Sequence, residues 1–214
     1  MATLTIKNLL PAYFEETRKQ ASEIWGKDLT FTKGDLVKIV APSGTGKTSL
    51  IHFLYRMRQD YNGAIFYDHK DLRQYTREEI AQLRKNRVSI VLQDMRLFNG
   101  QTILENLEIK TQLNPYHQQQ KIVDMAKRLG IDSRLHALAG QCSYGEQQRA
   151  VIIRALLQPF DFLLMDEPFS HLDDANSKKA MELILEEVKE RNACVIFAEL
   201  ERVDYYPATK LFRL

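Results

Sequence analysis

One octapeptide constrains this 214-residue chain more than any other feature: Ala41-Pro42-Ser43-Gly44-Thr45-Gly46-Lys47-Thr48. Before it stands Leu36-Val37-Lys38-Ile39-Val40, a short apolar run rich in β-branched residues that reads as a buried strand. After it, Leu50, Ile51, Leu54 and Met57 recur at helical spacing through about Arg58. Strand, glycine-rich turn and helix in that order match the phosphate-binding pattern G-x-x-x-x-G-K-[ST], with Ala41 in place of the first glycine. The same residues in a random turn would lack both flanking elements.

The pattern has a physical logic. Gly44 and Gly46 let backbone N–H groups turn inward around phosphate oxygens, and the following helix points its positive end at them. Lys47 neutralises β- and γ-phosphate charge, and the Thr48 hydroxyl is a ligand type for Mg²⁺. Ser43, Thr45 and Ser49 complete the candidate contacts. Ala41 matters only if its position demands a positive φ.

Elsewhere the chain reads as strands alternating with helices. Leu4-Thr5-Ile6 alternates, Val88 to Leu92 and Phe160 to Met165 are apolar strands, and Ala193 to Ala198 is a further one, with Lys210 to Leu214 a candidate edge strand. Helices are expected from about Glu146 to Leu157 and from Ser177 to Arg191, and a mostly helical insertion from Met95 to about Ala139, broken at Asn99-Gly100, Asn114-Pro115 and Gly130. The expected fold is α/β: a P-loop NTPase core with a mostly parallel sheet, an N-terminal antiparallel β part and an inserted helical subdomain.

Composition narrows the setting. The net charge of +2 gives no electrostatic case for nucleic acid. Cys142 and Cys194 are far apart and fit no metal-ligand spacing, so they read as reduced thiols. Met1 to Leu10 carries no signal-peptide pattern, and no window approaches the roughly 20 apolar residues of a membrane-spanning helix. Work at a membrane would require a partner.

Phe162 to Met165 runs into Asp166-Glu167, two adjacent carboxylates at a strand end. Beside a phosphate loop, Asp166 is placed to hold Mg²⁺ and Glu167 to orient and polarise an attacking water. Shortly before them, Cys142-Ser143-Tyr144-Gly145-Glu146-Gln147-Gln148-Arg149 resembles the L-S-G-G-[QE]-Q-Q-R signature of ABC ATPases. Other pieces follow in the family's order: Gln93 matches the Q-loop glutamine, with a Mg²⁺ or water role, and Ser170-His171-Leu172-Asp173 resembles the D-loop. Tyr13 lies about where the family keeps an adenine-stacking aromatic, with Phe14 and Trp25 as alternatives. The compact length and Gln93-Asp94-Met95-Arg96-Leu97-Phe98 look most like ATPases of lipoprotein-releasing, macrolide-export and cell-division systems.

The resemblance implies an ATP-hydrolysing subunit that powers transport through separate membrane permease subunits. It implies a head-to-tail homodimer with two ATP molecules, each held by the phosphate loop of one copy and by Ser143 and Gly145 of the other. Residues 1–93 and 149–214 would form the core, and 94–148 the helical subdomain. The place of work would be cytoplasmic, on the inner face of the membrane. Cys142 and Tyr144 depart from the signature, and Tyr144 bears on dimer closure. Glu199 stands where the family has a histidine on the γ-phosphate. A carboxylate donates no hydrogen bond unless protonated. Either Glu199 turns away and turnover is slow, or ATP closes the dimer with hydrolysis impaired, as in an ATP-gated regulatory module. A nucleic-acid-directed ABC protein would need a coiled coil or second cassette, and a P-loop kinase would lack the signature.

Overall fold

A computed structural model describes residues 2–13, 22–200 and 208–214. Phe14, one of the aromatic alternatives, lies outside them. Two sheets carry the fold. The first is antiparallel, in the order β2 (Leu29–Thr32), β1 (Thr3–Pro11), β4 (Tyr61–Tyr67), β5 (Lys70–Asp71). The second is parallel, in the order β6 (Val88–Val91), β7 (Phe162–Asp166), β8 (Cys194–Glu199), β3 (Leu36–Val40), β9 (Lys210–Arg213).

The central strands β7 and β8 of the parallel sheet are buried on both faces, as their apolar runs require, whereas β9 at the edge is half exposed. On β7, Phe162 and Leu164 pack with Ile51, Phe53 and the antiparallel sheet, whereas Leu163 and Met165 pack with the long helices on the other side. Those helices are α3 (Ile103–Leu113), α4 (Gln119–Arg128), α5 (Tyr144–Leu156) and α6 (Asp174–Arg191). Before them in the chain come α1 (Lys47–Leu54) and α2 (Arg77–Asn86).

Several expected boundaries move for local reasons. The helix after the phosphate loop stops at Leu54, short of Arg58, because Arg56 turns left-handed at φ 63°. The helix expected from Ser177 starts three residues earlier, capped by Asp173, whose carboxylate accepts from the Asn176 N–H at 2.8 Å. Strands β4 and β5 and helix α2 have no counterpart in the sequence expectations. At Gly63 the β1–β4 register shifts, and a Cβ there would come within 2.3 Å of the Asn8 carbonyl oxygen, so only glycine fits.

Candidate nucleotide site

The site forms where β3, β6, β7 and β8 end, at the carboxyl edge of the parallel sheet. The strand ends are stapled together: the Ala41 N–H donates to the Glu199 carbonyl at 3.1 Å, and the Glu167 N–H to the Ala198 carbonyl at 2.9 Å. A cleft of about 340 Å³ opens there, lined by Tyr13, residues 43–49, Gln93 and Glu167.

The loop is held open by its own bonds. The Thr45 hydroxyl donates to the Pro42 carbonyl at 2.8 Å, and the Trp25 indole N–H to the Thr45 carbonyl at 3.3 Å. Trp25 is fully buried and packs so closely under Gly46 that a Cβ there would sit 3.1 Å from its ring. This removes Trp25 as an adenine platform and makes it the floor of the loop. Gly46, at φ 103°, caps α1 with no side-chain hydrogen bond, so first-turn amides stay open to an anion. Ala41 is not among the positive-φ residues, so the position tolerates a side chain.

Lys47 is buried, and its ammonium donates to the carbonyls of Ala41 (2.8 Å) and Pro42 (3.0 Å) and lies 3.5 Å from Glu167 Oε1. The Gln93 amide donates to Glu167 Oε2 at 3.1 Å. Glu167 itself sits in the left-handed region at φ 46°, a strained conformation for a non-glycine residue. Asp166 is fully buried, and neither carboxylate oxygen has a hydrogen-bond partner among the described residues. Burial pushes its pKa up to about 6, against the opposing pull of the Thr48 hydroxyl. A buried carboxylate with open lone pairs beside a threonine hydroxyl fits a Mg²⁺ ligand pair.

Tyr13 is 57% exposed, with its hydroxyl 2.7 Å from Ser49 Oγ. One residue escaped the sequence reading here. Arg58 lies over the Tyr13 ring at 5.3 Å and donates to Ser49 Oγ at 3.0 Å. It falls beyond the helix end and in no motif, so spacing gave no signal for it. Glu199 is buried at the end of β8 and meets the loop through its backbone; it is not among the cleft-lining residues.

Ser143 and Gly145 also lie outside the cleft. Ser143 caps α5: its hydroxyl accepts from the Glu146 N–H at 3.3 Å, while its own N–H donates to Glu146 Oε2 at 2.8 Å. Tyr144 is 69% exposed and stacks on His171, with ring centroids 5.4 Å apart and planes at 23°. A Cβ on Gly145 would meet the His171 carbonyl at 3.1 Å. The signature turn and the Ser170–Asp173 loop are thus packed together as one surface.

Known proteins are similar in both sequence and shape. The family model "ABC transporter" matches residues 26–170. The lipoprotein-releasing system ATP-binding protein LolD of Legionella pneumophila (strain Paris) is 32% identical over 196 residues, covering 90% of this chain and 86% of that protein. The macrolide export ATP-binding/permease protein MacB of Nitrosomonas europaea is 30% identical over 86% of this chain, though the match spans only 28% of its own length. Among solved structures, the dimeric ABC transporter cassette MJ0796 superposes with a TM-score of 0.78 at 21% identity, covering 92% of this chain and 88% of that one. With the phosphate loop, acidic strand end and signature in place, the chain belongs to the ABC transporter family.

Proposed function

We propose that this chain binds ATP in the cleft at Gly44–Thr48 and hydrolyses it to power transport through separate membrane subunits. The observation that carries the reading is the convergence of Lys47, Gln93 and Glu167 on one another beside the unpartnered, buried Asp166. No described helix is long and apolar enough to cross a membrane, and the named relatives are ATP-binding parts of export and release systems. The proposed place of work is accordingly the cytoplasmic face of a membrane, on a permease partner.

The roles follow from the geometry. Ser43, Thr45 and Ser49 line the phosphate path with Gly44 and Gly46. Lys47 exchanges the carbonyls of Ala41 and Pro42 for phosphate oxygens, a gain because charged acceptors bind an ammonium more strongly than neutral ones. Thr48, Asp166 and Gln93 are the residues that would hold Mg²⁺, which when bound neutralises phosphate charge. Glu167 polarises the attacking water as general base, and the Gln93 amide fixes its orientation. Tyr13 offers its exposed ring to the adenine, and Arg58 braces that ring from one side. Glu199 supports the loop from β8 and leaves base catalysis to Glu167.

Ser143 and Gly145 serve a second copy. The Ser143 hydroxyl accepts within its capping box, so its own proton remains available to a phosphate oxygen of the partner's ATP. The helical segment 94–148, between core segments 1–93 and 149–214, is the arm that presents them. The test is ATP turnover with Mg²⁺ at rising protein concentration, beside Glu167→Gln. Turnover that climbs faster than protein concentration and vanishes in the variant supports the reading. Wild-type turnover that survives Glu167→Gln overturns the assignment.

A further inference from the structure

Arg58 lies just past the end of α1, in the short stretch that leads into β4. All three of its guanidinium nitrogens are engaged. Nε donates to Asp60 Oδ1 at 3.0 Å, Nη2 to Asp60 Oδ2, and Nη1 to Ser49 Oγ at 3.0 Å. The guanidinium carbon sits 5.3 Å from the centre of the Tyr13 ring and 5.5 Å from that of Phe53. Tyr13 is tied down at two further points. Its hydroxyl is 2.7 Å from the same Ser49 Oγ, and the preceding Ala12 N–H donates to the Asp60 carbonyl at 2.8 Å. Ser49 follows Thr48 in the first turn of α1, so the ring is fastened to the helix that receives the phosphate loop.

An exposed ion pair such as Arg58–Asp60 adds little to stability, and an exposed tyrosine gains little from burial. What the arrangement supplies is preorganisation: the ring is held at its hydroxyl, its backbone and one face before a ligand arrives. A cation over one face reserves the other for a single stacking partner. It also polarises the ring toward itself, so an electron-rich, two-ring base gains more on the free face than a one-ring base does. Tyr13 and Ser49 line the cleft, whereas Arg58 and Asp60 are not among the lining residues. Any influence of Arg58 on the ligand's base therefore passes through Tyr13.

We propose that Arg58 sets the base preference of this site: acting through Tyr13, it makes purine nucleoside triphosphates bind better than pyrimidine ones and adds nothing to the hold on the phosphates. This rests on the assignment of ATP to the cleft and names the part of the nucleotide that Arg58 governs. Arg58 is a positioning residue, and Asp60 and Ser49 fix where its charge lies.

Calorimetry with ATP, UTP and tripolyphosphate, all with Mg²⁺, tests it. The chains compared are wild type, Arg58→Met, Arg58→Lys, Tyr13→Ala and the double variant of Tyr13→Ala with Arg58→Met. Wild type should bind ATP roughly fivefold more tightly than UTP, the order expected of stacking on one aromatic ring. Arg58→Met should shrink that margin to about twofold, through the loss of one cation–π contact at an exposed site, with tripolyphosphate held as in wild type. Arg58→Lys, which keeps the charge without the fork, should retain more of the margin than Arg58→Met. In the Tyr13→Ala background Arg58→Met should have no further effect, the mark of a residue that acts through another. A margin unchanged in Arg58→Met, equal weakening of ATP and tripolyphosphate, or an Arg58→Met effect undiminished without Tyr13 overturns the proposal. So does a wild-type chain that holds tripolyphosphate and ATP but shows no margin over UTP. A wild-type chain that binds neither ATP nor tripolyphosphate overturns the nucleotide assignment itself, and the proposal with it.

Discussion

Two helix N-termini of this molecule carry the same backbone dipole and are finished in opposite ways. At α1 the cap is Gly46, left-handed and without a side-chain bond, and the loop before it curls so that its amides and Lys47 face a cleft. At α5 the cap is Ser143, closed by a reciprocal capping box whose Glu146 also pairs with Arg134 at 2.8 Å. The first end has left its anion-binding capacity unspent. The second has already placed a carboxylate on its own dipole, which stabilises the helix and leaves one hydroxyl proton and the first-turn amides of Tyr144 and Gly145 to offer outward. In the proposed dimer, the first end would hold the phosphates and the second would touch them from outside.

The largest effects are expected at the chemistry of the first end. Glu167→Gln keeps the shape and the Gln93 contact surface but removes the base, and turnover should fall by roughly 10²–10⁴-fold with ATP affinity retained; stopped-flow phosphate release measures it. Lys47→Ala removes the buried ammonium, and calorimetry should find ATP affinity lower by roughly a hundredfold, since several charge-assisted bonds go at once. Gly46→Ala should cost about 1–3 kcal/mol of stability, because the new Cβ meets Trp25 in a backbone region unfavourable to side chains; thermal unfolding reports it. At the second end, Ser143→Ala should destabilise by about 1 kcal/mol through the lost cap and leave ATP affinity of the isolated chain unchanged. A loss of single-chain affinity in Ser143→Ala would show that the two ends are not separate. The smallest effect is expected for Tyr144→Ala, about 0.5–1.5 kcal/mol from the exposed stack on His171, again with no change in single-chain affinity.

The first end was legible in the sequence because its chemistry is local. Val37 to Thr48 carries strand, turn and helix signals within a dozen residues, and Phe162 to Glu167 carries both its burial and its charge. The second was legible only by family resemblance, since Ser143-Tyr144-Gly145-Glu146 alone reads as a helix cap, which it also is. The stretch from Tyr61 to Asn86 stayed dark. Gly63 interrupts the alternation of β4, and α2 buries only Ile80 and Leu83 among its charged residues, too few for a helical stripe. Its Thr76/Glu79 capping box was the available signal. The Arg58 brace on Tyr13 arises from tertiary placement, which no spacing along the chain encodes.

In the proposed dimer, these two ends are halves of one hydrolytic site completed between two copies. Mixing a Lys47→Ala chain with a Ser143→Arg chain tests it most directly. Each variant alone should be inactive, because each of its sites lacks one half. In an equal mixture, heterodimers restore one complete site, so turnover should return to about a quarter of wild type by two-fold symmetry and random pairing. Turnover in Ser143→Arg alone, or a mixture as silent as its components, would contradict the claim.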